Sequence, residues 1–129
     1  MLGGSERRFV EPVGISFSAA ARAAILDLAV GHDHAEDFRC DPWEFAVEID
    51  FLTAAGLTSD EIRSLVARGY IEPATEVTRP SDTTRKFRPI RKIHFGDKTC
   101  FVVTAAGLRL TTTQPDRTTS RQPPLRRAA

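Results

Sequence analysis

Residues 50–72, DFLTAAGLTSDEIRSLVARGYIE, leave the chain few folds to choose from. They read as a helix, a tight turn, a second helix and the start of a strand. Leu52, Ala54 and Ala55 end the first helix. Gly56 stands where a turn between helices needs a residue free to take positive φ. Leu57 is the apolar turn residue that can drop between the two helices. Thr58 is placed to cap the next helix, and Glu61 three residues later completes a capping box. Ile62, Leu65 and Val66 recur at helical spacing and define a buried face. Gly69 closes that helix, and Tyr70 and Ile71 change the pattern to strand.

The flanking sequence supplies further elements. Residues 1–17 read as a loose N-terminal arm, in which Phe9, Val10, Ile15 and Phe17 can dock on the body or form a short edge strand. Ser18 caps a first helix that runs to about Val30, where Gly31 stops it. Residues 32–41, HDHAEDFRCD, read as an acidic connection. Asp41 then caps a helix that begins at Pro42 and ends near Ala55, with Glu44 complementing its dipole. Its clearest apolar set is Trp43, Ala46, Val47, Ile49 and Leu52, spread over more than one face. Beyond the core stretch, residues 70–78 have a strand composition interrupted by Pro73. Residues 79–85 read as a loop tip and residues 86–95 as an extended basic segment. Gly96, Asp97 and Lys98 make a reversal. Residues 99–104, TCFVVT, form the densest strand pattern in the chain, and Thr104 caps a last short turn that brings Leu108 and Leu110 to the core. Residues 111–129, rich in Thr, Pro and Arg, read as a disordered basic tail.

Length and composition bound what such a chain can be. It has 129 residues and an apolar fraction of 41%, enough for one modest core. It has no apolar run of membrane-spanning length, and its first residues lack the apolar region of a secretory signal. Cytoplasmic location and two reduced thiols, Cys40 and Cys100, are the expectation. Charge is divided: residues 1–72 hold 6 Lys/Arg against 13 Asp/Glu, and residues 73–129 hold 12 against 4. One end can therefore seek anions without the whole being basic, or the halves can pair within one molecule or in a homodimer.

Four groups of residues can carry chemistry. Arg79, Arg85, Lys86, Arg88, Arg91, Lys92 and Lys98 stand against only Asp82 and Asp97, and on a hairpin they can straddle a phosphate backbone. The plainer reading is a charged hairpin that protects a sheet edge. The tail cations Arg117, Arg121, Arg126 and Arg127 add phosphate affinity or merely solubility. His32, His34 and Cys40 with nearby carboxylates resemble no zinc spacing, so no metal is expected. No nucleophile elbow, phosphate loop or dinucleotide fingerprint is present, so neither an enzyme nor a cofactor is expected, and no small-molecule ligand is evident. Trp43, Phe45, Phe51, Phe95 and Phe101 read as core, and Phe87 as the cover of the hairpin's inner face or a base-stacking ring.

Three helices followed by a basic β-hairpin is the order of a winged helix-turn-helix domain. LVARGYIE at residues 65–72 resembles the end of that family's recognition helix running into its wing. CFVVTAAG at residues 100–107 resembles the returning wing strand and the Thr-x-x-Gly turn after it. The match covers about residues 41–110, and the chain also resembles small uncharacterised bacterial winged-helix proteins. The resemblance implies an α+β winged-helix domain over residues 18–110. It further implies a transcriptional regulator that binds double-stranded DNA. Arg63, Ser64 and Arg68 on the third helix would then enter the major groove, and Arg85, Lys86, Arg88, Arg91 and Lys92 would hold phosphates. Two features depart from that family. Asp60 and Glu61 open the presumed recognition helix with negative charge, and Pro73, Pro80 and Pro89 interrupt a long wing. The fold also serves as a protein-docking module, so an acidic protein partner is the alternative.

Overall fold

The computed structural model describes residues 5–90 and 94–115. In chain order the elements are β1 (Ser5–Phe9), α1 (Ala19–Phe38), a 3-10 turn (Pro42–Phe45), β2 (Val47–Glu48), α2 (Ile49–Ala54), α3 (Ser59–Ala67), β3 (Ile71–Glu76), β4 (Phe87–Pro89), β5 (Thr99–Val103), α4 (Ala105–Leu108) and β6 (Thr111–Pro115). The result is an α+β fold with two antiparallel sheets, one ordered β2-β5-β3-β4 and the other β1-β6. Among the described residues no helix is long and apolar enough to cross a membrane.

The helix pair forms where the sequence places it. Gly56 takes φ +110° in the turn and Leu57 is buried beneath it. Both halves of the capping box are made: Glu61 N–H donates to Thr58 Oγ1 at 3.1 Å, and Thr58 N–H donates to Glu61 Oε1 at 3.0 Å. Ile62 and Leu65 are buried. The helix ends with Gly69 in the left-handed region, Gly69 N–H bonding Val66 O and Tyr70 N–H bonding Leu65 O, so its last carbonyls are satisfied.

α1 is longer than expected. Ser18 caps it, but it passes through Gly31 and ends at Phe38, with Arg39 in the left-handed conformation. A glycine inside a helix costs roughly 0.5–1 kcal/mol. Here a Cβ on Gly31 would lie 3.4 Å from both the Cβ and the carbonyl oxygen of Phe45, so glycine lets the 3-10 turn pack close, and Ala35 one turn later is fully buried. The acidic connection expected at residues 32–41 is thus mostly the last two turns of this helix.

The helix expected from Pro42 to Ala55 is broken into three pieces. Asp41 does cap its start, Oδ1 accepting from Trp43 N–H at 2.9 Å. After one 3-10 turn Ala46 becomes extended, β2 pairs with β5 through Val47↔Phe101 and Glu48↔Cys100, and α2 begins afresh. No straight helix could turn all the apolar residues of this segment to one core. The break sends Ala46 to one side of the sheet, with Cys100, Val102, Trp43 and Phe87, and Leu52 to the other, with the helices. Phe51, expected in the core, is instead 52% exposed.

β5 is buried along its whole length because both faces are covered. Phe101 and Val103 join the core formed with α1, α2 and α3, while Cys100 and Val102 face the smaller cluster. The loop tip expected at residues 79–85 is present, and of the extended segment expected at residues 86–95 Phe87–Pro89 form a strand. After β3 the chain reverses at residues 79–82, returns as β4 along the outer edge of β3, and then crosses to β5 on the other side of β3. Pro73 is tolerated because the β4 ladder begins only at Ala74.

At the ends of the domain the arm docks as expected, Phe9, Ile15 and Phe17 joining the core, whereas the start of the tail differs from expectation. Residues 5–9, read as part of a loose arm, pair with residues 111–115, read as the start of a disordered tail. Neither segment can satisfy its backbone alone, and each supplies the other's partners. The ribbon is fastened to α1. Arg7 Nε and Nη2 donate to the two carboxylate oxygens of Asp33, both at 2.7 Å, and Nη1 donates to Thr111 Oγ1 at 2.8 Å. Phe9 meets Phe17 edge-on at 5.1 Å between ring centroids. The tail cations Arg117, Arg121, Arg126 and Arg127 lie outside the described residues.

Candidate nucleic-acid interface

α3 turns Ile62 and Leu65 inward, which leaves Arg63, Ser64, Ala67 and Arg68 exposed on its outer side. Arg63 Nη2 donates to Asp60 Oδ1 at 2.7 Å, an i,i+3 pair in solvent. Such pairs contribute at most a few tenths of a kcal/mol, so Arg63 exchanges this partner readily. Arg68, the C-cap of α3, has no ion-pair partner among the described residues.

The acidic start of α3 has a structural reason. The Glu61 carboxylate is held below its ordinary range first by the Ser18 hydroxyl and then by the Thr58 N–H. Ser18 in turn caps α1 by accepting from Ala21 N–H at 3.0 Å.

The basic residues of the β3–β5 excursion divide into different roles. Arg88 is exposed on β4 opposite Thr75. Since side chains alternate along a strand, Arg88 shares the face of the sheet taken by Ile71, the face against which the helices pack. Lys86 is exposed just before β4, its backbone N–H bonded to Thr78 Oγ1 at 2.9 Å. Arg91 and Lys92 lie outside the described residues.

Arg85, expected on the phosphate backbone, is engaged inside the protein. Its Nε and Nη2 donate to Glu76 Oε2 and Oε1 at 3.1 and 3.0 Å. Its Nη1 donates to the carbonyls of Glu44 and Ala46 at 3.1 and 3.0 Å, and Nη2 also reaches Cys100 Sγ at 3.7 Å. The guanidinium lies 5.1 Å from the Phe87 ring centroid. Every donor direction of the fork is met, so this side chain joins the returning loop to the junction between the 3-10 turn and β2. The guanidinium holds the Glu76 carboxyl down at about 2, and burial, with Glu76 nearby, pushes the Cys100 thiol up to about 11. Arg85 stands out in sequence as one cation among several; its acceptors come from three other elements that local spacing does not connect.

The opposite face of the sheet carries a groove of about 520 Å³ between the 3-10 turn and the β3–β4 hairpin. Trp43 and Phe87 line it with their ring centroids 4.9 Å apart, and Ala74 lies on its floor. Phe87 thus covers this inner face. The histidines of the expected acidic loop stand on α1 instead: His34 meets Phe45 edge-on, and His32 Nε2 lies 3.9 Å from Glu36. Two residues apart on a helix, they do not share a face. Among the described residues no three His, Cys, Asp or Glu side chains form a group that could hold a metal ion. Cys40 is exposed and Cys100 buried.

No protein-family model matches the chain, and no curated protein or solved structure matches it.

Proposed function

We propose that the chain is a winged-helix protein that binds duplex DNA as a transcriptional regulator, with α3 in the major groove. The observation that carries this reading is the outer side of α3, where Arg63, Ser64 and Arg68 stand exposed above a buried Ile62–Leu65 face. Element order supports it. A helix, a short strand, two helices joined at Gly56 and two longer strands follow in sequence, and β2 pairs with β5 beside β3. This order is compatible with a winged helix that carries β4 as an addition to its wing. Arg63 or Arg68 would reach a guanine edge, and Ser64 would position the helix. Lys86 and Arg88, with Arg91 and Lys92, would neutralise phosphates; Arg85 is not among them, because its guanidinium is already engaged.

Fluorescence anisotropy with a random-sequence duplex tests the reading. Binding in the micromolar range at low salt is expected. If about four phosphates are neutralised, affinity falls roughly 100-fold between about 50 and about 200 mM salt. The Arg68→Ala/Arg88→Ala pair should weaken binding further. No binding at low salt would overturn it.

The second reading is a protein-docking module that engages an acidic partner or a second copy of the chain. It is favoured by the negative first turn of α3, where Asp60 and Glu61 oppose a phosphate backbone. Self-association in sedimentation runs, together with absent DNA binding, supports it.

A further inference from the structure

We propose that the groove between the 3-10 turn and the β3–β4 hairpin binds a small organic cation with an apolar body. This goes beyond the DNA-binding reading and does not depend on it. The volume, about 520 Å³, is that of a small-molecule site. The wall is aromatic: the Trp43 and Phe87 ring planes are inclined by 42°, so the two rings form an angled pair of π-faces. Such faces are negative at their centres and attract cations.

Charge around the groove selects the same sign. Asp41, Glu44 and Glu72 border it, against Arg85 and Lys86. Arg85 is neutralised by its two bonds to Glu76, and Lys86 is exposed at the rim. Asp41 and Glu44 each accept a backbone N–H, from Trp43 and Arg85. Glu72 differs: its carboxylate has neither a hydrogen bond nor an ion pair among the described residues. It lies two residues before Ala74 on β3 and so on the groove's face of the sheet. Arg85 already lies 5.1 Å from the Phe87 ring centroid, so the ligand's cation rests on Trp43 and finds its counter-ion in Glu72 while Phe87 contacts the apolar body, whereas an anion meets three carboxylates.

Trp43 is the only tryptophan of the chain, so the intrinsic fluorescence of the full-length protein reports on the groove. The probe is benzyltrimethylammonium, compared with benzyl alcohol and benzenesulfonate as neutral and anionic counterparts. The expected result is a saturable change in Trp43 emission with the cation, at least about tenfold weaker binding of the other two, and a loss of about fivefold for the cation in Glu72→Gln. Glu72 is exposed and has no hydrogen bond or ion pair among the described residues, so this variant should unfold at the same temperature as the parent. No saturable change below about 10 mM probe, an equal response to all three probes, or a titration unaffected by Glu72→Gln would each overturn the proposal.

Discussion

Arg85 grips Glu76 through two hydrogen bonds of 3.1 and 3.0 Å, and in doing so closes the β3–β4 hairpin over the small cluster around Cys100. Removing the cation leaves the Glu76 carboxylate and the carbonyls of Glu44 and Ala46 without their donor. Because both partners are only about three-quarters buried, the cost falls below that of a fully buried pair, and Arg85→Ala should destabilise by about 2–3 kcal/mol. Arg85→Lys should recover little, since an ammonium cannot span a carboxylate and two carbonyls at once. Urea unfolding checks this, and a change under about 0.5 kcal/mol would mean that the arginine is free.

The same pair sets a pH dependence. The Glu76 carboxyl is depressed in the folded protein from 4.5 to about 2. Its contribution is therefore complete above about 4.5 and is lost as pH falls through about 2. The contribution is at most about 3 kcal/mol. Glu76→Gln should unfold more easily at neutral pH and show a flatter loss of stability on acidification. Parallel acid limbs in the two proteins, followed by circular dichroism, would count against the assignment.

The two thiols should behave differently towards a thiol-specific reagent. Cys40 is exposed at the end of α1, while Cys100 is wholly buried with its thiol pushed up to about 11. One equivalent of thiol should react quickly with Ellman's reagent in native buffer, and the second only on unfolding. The Cys40→Ser variant should lose the fast phase. Two fast phases in the native protein would contradict the burial of β5.

Gly107 of α4 packs against the backbone of Tyr70, just before β3, and against Val103 of β5. A Cβ there would collide with the Tyr70 carbonyl and stand 2.7 Å from Val103 Cγ2. The Tyr70 carbonyl cannot move aside freely, because it accepts the Thr104 N–H at 3.1 Å. Gly107→Ala should therefore cost about 2–3 kcal/mol, although alanine is the better helix former. A thermal melt unchanged by the substitution would refute the packing.

Local chemistry made α3 legible. Thr58, Glu61, Gly56 and Gly69 each act within a few residues of themselves, so caps and turns appear in sequence as they do in space. β5 was legible for a related reason: a short run of β-branched and aromatic residues suits a strand covered on both faces. Gly31 misled because a stop signal and a close-packing site use the same residue, and only the position of Phe45 distinguishes them.

The sequence alone therefore determined where the α2–α3 turn lies, how α3 is capped, and that cations gather after residue 79. These follow from backbone preference, side-chain reach and charge, which act at short range. Tertiary structure alone decided that residues 46–48 leave the helix to pair with β5, that residues 5–9 meet residues 111–115, and that Arg85 faces Glu76. Each of these needs a partner far along the chain, because a strand's hydrogen bonds and a half-buried charge are satisfied by whatever the fold brings beside them.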